Sequence, residues 1–393
     1  MTAAVSFGEQ LHATMADYVR RRDVPGVVTL VSRHGRVRRP VQSAVVGVGT
    51  IGGPAIQRDA IFRVTSLSKP IISAAAMVLV DDGVLRLDEP VDRFLPELAD
   101  RRVLHRLNSP LDDTVPAARP ITVRDLLTSR MGFGIVMARA ERYPIQRALR
   151  ELEICVGPPN PQAPHTPDEW MRRLGMLPLM HQPGERWMYS TSYDVLGVLV
   201  ARASGHSLET FLRARLLAPL GMRDTAFSLP PSKLNRFVSC YRAHPTTGAL
   251  TVVDAAATSQ WSAPPKFPAG RDGLVSTADD YLAFGQMLLA RGIHAGQQVL
   301  SRKAVALMTM NHLTAEQKSE SVLLSGGRGW GFGMAVTPYW FGWDGGFGTS
   351  WRTYERAGIV AVLMTQRLVV PVSSGIDDEF WTIVEGTLGD QEH

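Results

Sequence analysis

With 393 residues, 45% apolar side chains and a formal net charge of +5, the chain has enough material for a sizeable core and is too evenly balanced to be disordered or fibrous. Its positive charge comes from 37 arginines against 5 lysines, but these are scattered, and groups such as Arg20-Arg21-Arg22, Arg101-Arg102 and Arg172-Arg173 are too short for a basic binding run, so no nucleic-acid partner is expected. No apolar stretch is long enough to span a bilayer and no basic-then-apolar leader opens the chain, so a cytoplasmic location is expected.

Near the start, Leu11, Met15 and Tyr18 recur at helical spacing. Residues 27–31 (Val-Val-Thr-Leu-Val) then read as a strand. A turn at His34-Gly35 and extended sequence up to Val45-Val46 complete an antiparallel hairpin. Gly47-Val48-Gly49-Thr50-Ile51-Gly52 has the spacing of a dinucleotide-binding loop, but Gly53-Pro54 and the residues after them do not open a helix, so that reading fails.

The most informative stretch is Phe62-Arg63-Val64-Thr65-Ser66-Leu67-Ser68-Lys69-Pro70. Residues 71–80 are a compact apolar run that predicts a buried helix. Pro70, which lacks an N–H, belongs in its first turn, so the helix begins near Ser66. A separation of three places Ser66 and Lys69 on one helical face. A serine hydroxyl needs a neighbour to take its proton before it can attack. A desolvated lysine has a lowered pKa and can serve. The free N–H groups of a helix start suit a developing oxyanion.

Between about 86 and 260 the pattern is mostly helical, with clear segments at 196–203 and 208–217. The loop at 157–167 carries five prolines in eleven residues and should be irregular. Cys155 and Cys240 form neither a CxxC nor a metal spacing and are expected to pack as small apolar residues. Histidines such as His105, His165, His181 and His312 are dispersed, so no metal and no cofactor is expected. Pro183 to Ser192 forms a turn that carries Tyr189 into a helix beginning near Tyr193. Tyr189 is a candidate for relaying a proton between Ser66 and a leaving group. Residues 270–280 read as a tight loop with Ser276 or Thr277 capping the next helix.

Toward the end, Phe341-Gly342-Trp343-Asp344-Gly345-Gly346-Phe347-Gly348 is a glycine-rich segment that permits close approach of a backbone to a ligand. Residues 350–354 and 359–365 read as strands around a turn at 356–358. Ile376, Phe380, Val384 and Leu388 form one stripe of a terminal helix. Strands thus occupy both ends of the chain and helices its middle. The expected fold is α/β (α+β): an antiparallel sheet flanked by helices and built from residues 1–85 and 261–393, with a mostly helical domain inserted at 86–260.

Taken together, the Ser66-Leu67-Ser68-Lys69, Tyr189-Ser190-Thr191 and Trp343-Asp344-Gly345 segments, in this order, resemble the penicillin-recognising serine hydrolases. That superfamily includes class C β-lactamases, DD-peptidases and family VIII carboxylesterases. The resemblance runs from about residue 10 to 385, and the esterase branch fits best, helped by Gly329-Trp330-Gly331-Phe332-Gly333. It implies that Ser66 is the acylated nucleophile and that Lys69 and Tyr189 share general base and acid duty. It further implies that the N–H groups of Ser66 and Gly346 form an oxyanion hole and that Trp343, Gly345 and Thr191 contact substrate. Two departures matter. Thr191 stands where the family has Asn, and Trp343 stands where β-lactamases have Lys. Loss of that cation weakens recognition of a substrate carboxylate and offers an apolar wall instead. This favours a small-molecule ester substrate over a β-lactam or peptide amide. Amide hydrolysis, acyl transfer at the same site and an inactive scaffold remain as alternatives. The natural substrate and the oligomeric state stay open, and specificity is expected to come from loops around 131–167.

Overall fold

The computed structural model describes residues 6–34, 40–154, 159–319 and 321–388. Cys155, Gly157, Pro158 and the Gly35 side of the first hairpin turn lie outside the described residues.

Helix α1 (Phe7–Arg20) opens with a reciprocal cap, in which the Ser6 side chain accepts from Glu9 N and the Glu9 side chain returns to the Ser6 backbone. Strands β1 (Gly26–Arg33) and β2 (Gln42–Gly47) form the first hairpin. The sequence then passes through helices α2 (Ser68–Asp81), α3 (Ser192–Ser204) and α4 (Ala278–Leu289). It returns to strand at β3 (Gly329–Trp330), β4 (Ala335–Val336), β5 (Phe341–Gly345), β6 (Thr349–Tyr354) and β7 (Ile359–Met364), and closes with α5 (Ile376–Gly386). These strands build one seven-stranded sheet of order β3-β4-β5-β6-β7-β1-β2, antiparallel throughout. β7 pairs with β1, so the two ends of the chain share one sheet, as the sequence predicts.

The sheet is buried on both faces, and the two-residue period of its strands divides them between two cores. Val27 and Val31 of β1 and Ile359, Ala361 and Leu363 of β7 join α1 and α5. The alternate residues Val28, Leu30, Val360 and Val362 join α2 and α4. Tyr18 ties α1 to α5 by donating to Gly375 O at 3.1 Å and Glu379 Oε2 at 2.8 Å. The second core runs on through α3 and the helical segments beyond it.

Several local expectations shift. Residues 102–104 pair with 114–116, and 240–243 pair with 250–254, so the middle of the chain is not purely helical. The second hairpin leans on the sheet side, with Tyr241 N donating to Gln366 O at 2.9 Å. The segment at 208–217 is a short α-helix over Leu208–Leu212 that widens into a π turn over Arg213–Leu217. Pro167 starts a helix, Pro167–Gly175, with Thr166 as its cap. After Gly47 the chain turns through a bridge between Val48 and Ala55 with no helix, in keeping with rejection of a dinucleotide loop. Thr277, not Ser276, caps α4, its side chain accepting from Asp280 N at 3.1 Å. No helix among the described residues is long and apolar enough to cross a membrane.

Candidate active site

Twelve of the fourteen residues of α2 are buried, Lys69 among them at 1% exposure. Ser66 sits just before α2, in a 3-10 turn over Thr65–Leu67, so the helix starts two residues later than a start at Ser66 would imply. The turn is held from outside: Tyr281 Oη donates to Leu67 O at 2.8 Å, and Leu274 N donates to Ser68 Oγ at 3.1 Å. Thr65 takes φ of +44°, in the left-handed region that costs a β-branched residue energy. Strand β5 must come very close to this turn. A Cβ on Gly345 would lie 2.6 Å from Val64 O and 2.7 Å from Thr65 Oγ1, so only glycine fits there.

The geometry brings the predicted pair together. Lys69 Nζ lies 2.9 Å from Ser66 Oγ and donates to Arg271 O at 2.7 Å. The Tyr189 ring covers the amine, its centre 4.4 Å from Nζ, and the Tyr193 ring stands 5.9 Å away. Burial pushes Lys69 down to about 7; Asp272 and Asp194 pull it up, and Arg271 pushes it down further. Burial drives the Tyr189 phenol well above its ordinary value, with hydrogen bonding to Ser66 and Trp343 acting against it. Near neutral pH the amine is therefore the group ready to accept a proton, and the phenol is one that holds its own.

Trp343 does more than the sequence implies. Its ring is 5% exposed, and its indole Nε1–H donates to Tyr189 Oη at 2.8 Å. Trp343 also meets Trp330 edge-on at 4.7 Å, and Trp187 packs on both Trp330 and Tyr189 at 5.1 and 5.6 Å. Trp330 in turn donates to Tyr193 Oη at 2.9 Å. Three indole rings thus wedge Tyr189 in place, and one of them supplies a directed donor.

Ser66, Tyr189, Trp343, Gly345 and Gly346 line one cleft of about 500 Å³. Lys69 lies behind Ser66. Thr191 is buried just before α3, makes no side-chain cap bond to it, and does not line this cleft. No described residue from 131–167 lines the cleft either. The wall comes from Val322, Leu323 and Arg328 and from the end of β7 into α5, through Leu368, Val369 and Asp377. Residues near 131 instead pack beneath Tyr189: a Cβ on Gly134 would lie 2.7 Å from Met188 Cβ. Cys240 is buried among Ile61, Trp261 and Phe347, the packing role expected of it.

Comparison with known proteins agrees with this layout. Protein Rv1367c of Mycobacterium tuberculosis is 36% identical over 366 residues, covering 87% of this chain and 85% of that one. Esterase EstB of Burkholderia gladioli is 28% identical over 397 residues, covering 92% and 91%. The solved structure of EstCE1, a hydrolase with promiscuous acyltransferase activity, superposes with a TM-score of 0.78 at 23% identity, covering 96% of this chain and 98% of its own. The family model described as beta-lactamase matches residues 11–383, a span that takes in both ends of the sheet and all three segments meeting at Ser66, and the chain belongs to that family.

Proposed function

We propose that the protein is a serine hydrolase that cleaves carboxylic esters through an acyl-enzyme on Ser66. The observation that carries this reading is the 2.9 Å approach of Ser66 Oγ to a buried amine whose pKa is lowered to about 7. In the first step Ser66 Oγ attacks the ester carbonyl carbon while Lys69 takes the hydroxyl proton. The Ser66 and Gly346 N–H groups receive the oxyanion. The bond to the alkoxy oxygen then breaks, Tyr189 protonates the departing oxygen, and the proton on Lys69 restores the phenol. Water attacks the acyl-enzyme in the second step, releasing a carboxylic acid and free Ser66. One ester and one water yield one acid and one alcohol.

Trp343 supports an ester over a β-lactam or peptide. It holds no charge for a substrate carboxylate, and its edge is apolar. The similarity to esterase EstB points the same way. The test is pre-steady-state hydrolysis of 4-nitrophenyl butyrate beside nitrocefin. A nitrophenolate burst stoichiometric with enzyme, and a phosphonate adduct on Ser66 absent from Ser66→Ala, are expected. Faster turnover of nitrocefin than of any simple ester, or an adduct that survives in Ser66→Ala, refutes the reading.

A further inference from the structure

We propose that Asp194 is a positioning residue for the proton-accepting lysine: it holds the Arg271 loop so that one carbonyl of that loop orients Lys69 toward Ser66. This rests on the ester-hydrolase reading of the same site.

A neutral amine has two N–H groups and one lone pair. To accept the proton of Ser66, Lys69 must turn the lone pair to Oγ and spend an N–H elsewhere. Arg271 O takes that N–H at 2.7 Å. A backbone carbonyl on a loop performs this task only if the loop is fixed, and three contacts fix it. Asp194 Oδ1 accepts the Arg271 backbone N–H at 3.0 Å. Asp194 Oδ2 lies 3.3 Å from Arg271 Nε, which also stands 3.2 Å from Asp272. Gly270 presses on the first turn of α3, where a Cβ would come within 2.1 Å of Tyr193 O. Asp194 is therefore joined to one residue at both its main chain and its side chain.

The arrangement is costly, which is why a purely structural role explains it poorly. Asp194 is 3% exposed and Arg271 8%. A buried ion pair offers little net stability over an apolar pair of similar size. What it does offer here is a fixed acceptor, and a charge that is in place where Lys69 titrates, since burial raises the Asp194 carboxyl only to about 6. The charged groups facing Lys69 are Asp272 and Arg271 from the loop and Asp194 from α3, and the rings of Tyr189 and Tyr193 close the remaining sides. Both carboxylates favour the protonated amine against the burial that disfavours it, so removing either one lowers the pH at which Lys69 becomes a base.

The experiment compares wild type with Asp194→Asn, Asp194→Ala and Asp272→Asn, measuring kcat/KM for 4-nitrophenyl butyrate from about pH 5 to pH 9, together with burst amplitude and Tm. Asp194→Asn keeps an acceptor oxygen and loses the charge. Its rising limb is expected at lower pH than in wild type by about half a unit or more. Asp194→Ala, which removes the acceptor for the Arg271 N–H as well, is expected to lose kcat several-fold further while KM stays near the wild-type value. Asp272→Asn, with a less buried side chain, is expected to move the limb the same way, and it keeps the test alive should Asp194→Asn fail to fold. A wild-type limb in both Asn variants, with only Tm lowered, overturns the positioning role. Absence of a burst in wild type overturns the ester-hydrolase reading instead, so the two failures are told apart.

Discussion

The hydrogen bond from Trp343 to Tyr189 permits a sharp test of which group protonates the leaving oxygen. Trp343→Phe retains a six-membered ring in the same aromatic wedge and removes the indole donor that meets Tyr189 Oη at 2.8 Å. While Tyr189 is neutral, such a bond is worth about 1 kcal/mol. In the transition state of leaving-group departure the phenolic oxygen gives up its proton and gains negative charge, and a bond to a charged acceptor is worth roughly 1.5–3 kcal/mol. The difference appears only in steps where Tyr189 is the acid. For an alkyl ester, whose alkoxide must be protonated to leave, the difference of roughly 0.5–2 kcal/mol should lower kcat/KM about 2- to 30-fold. For a 4-nitrophenyl ester, whose phenolate leaves unaided, the fall should be smaller. The assay is titration of acid released from ethyl butyrate alongside absorbance from 4-nitrophenyl butyrate, with circular dichroism to confirm folding. Equal losses on both esters, or an alkyl-ester rate within twofold of wild type, would refute the assignment of Tyr189 as the acid.

Gly345→Ala should be far more harmful than its single added methyl suggests. The new Cβ would fall 2.1 Å from Thr349 Oγ1, 2.6 Å from Val64 O and 2.7 Å from Thr65 Oγ1, and two of those three atoms belong to the segment that carries Ser66. Overpacking of this kind costs about 1–3 kcal/mol, read as a lowered urea midpoint, with burst amplitude falling more steeply than stability. An unchanged burst would show that the turn has room the distances deny. Lys69→Met tests the cost of keeping an amine dry. The folded pKa, near 7, lies below the ordinary 10.5, so the folded state binds fewer protons than the unfolded chain between those values, and stability from this group rises with pH across that window. Below about 7 the full penalty stands. The Met variant should therefore be inactive yet more stable than wild type by on the order of a few kcal/mol near pH 6, an advantage that shrinks toward pH 10. A stability difference independent of pH would mean that the amine is solvated.

What can be read from the sequence divides along a physical line. Ser66 and Lys69 are legible because both lie within one helical turn and local periodicity fixes their relation. Pro70 marks the helix start to within two residues. The strands at 26–33 and 359–364 are legible from β-branched runs, and their pairing from their position at opposite ends of a helical middle. Groups that act through direction rather than type are not legible. The indole of Trp343 reads as an apolar wall, because nothing local says that its N–H will meet a phenol 154 residues away. Arg271 is invisible for a deeper reason: the atom that touches Lys69 is a main-chain carbonyl, which every residue has.

The same distinction bears on Thr191 and on the 131–167 loops. Resemblance assigns a role to a position in a motif, but the fold decides which side of the backbone faces the cleft. Here Thr191 is buried just before α3, while the end of β7 and the start of α5 bring the cleft wall from a part of the chain with no motif at all. Chemistry at this site is accordingly encoded in short segments that tolerate little change. The apolar part of the cleft wall includes Val322, Leu323, Leu368 and Val369, which lie outside those segments. Substitutions at these four positions should shift the preferred acyl length while leaving the apparent pKa of the rising limb where Lys69 sets it. A limb that moved with them would mean that solvent reaches the amine through the cleft, and that burial in α2 is not what lowers its pKa.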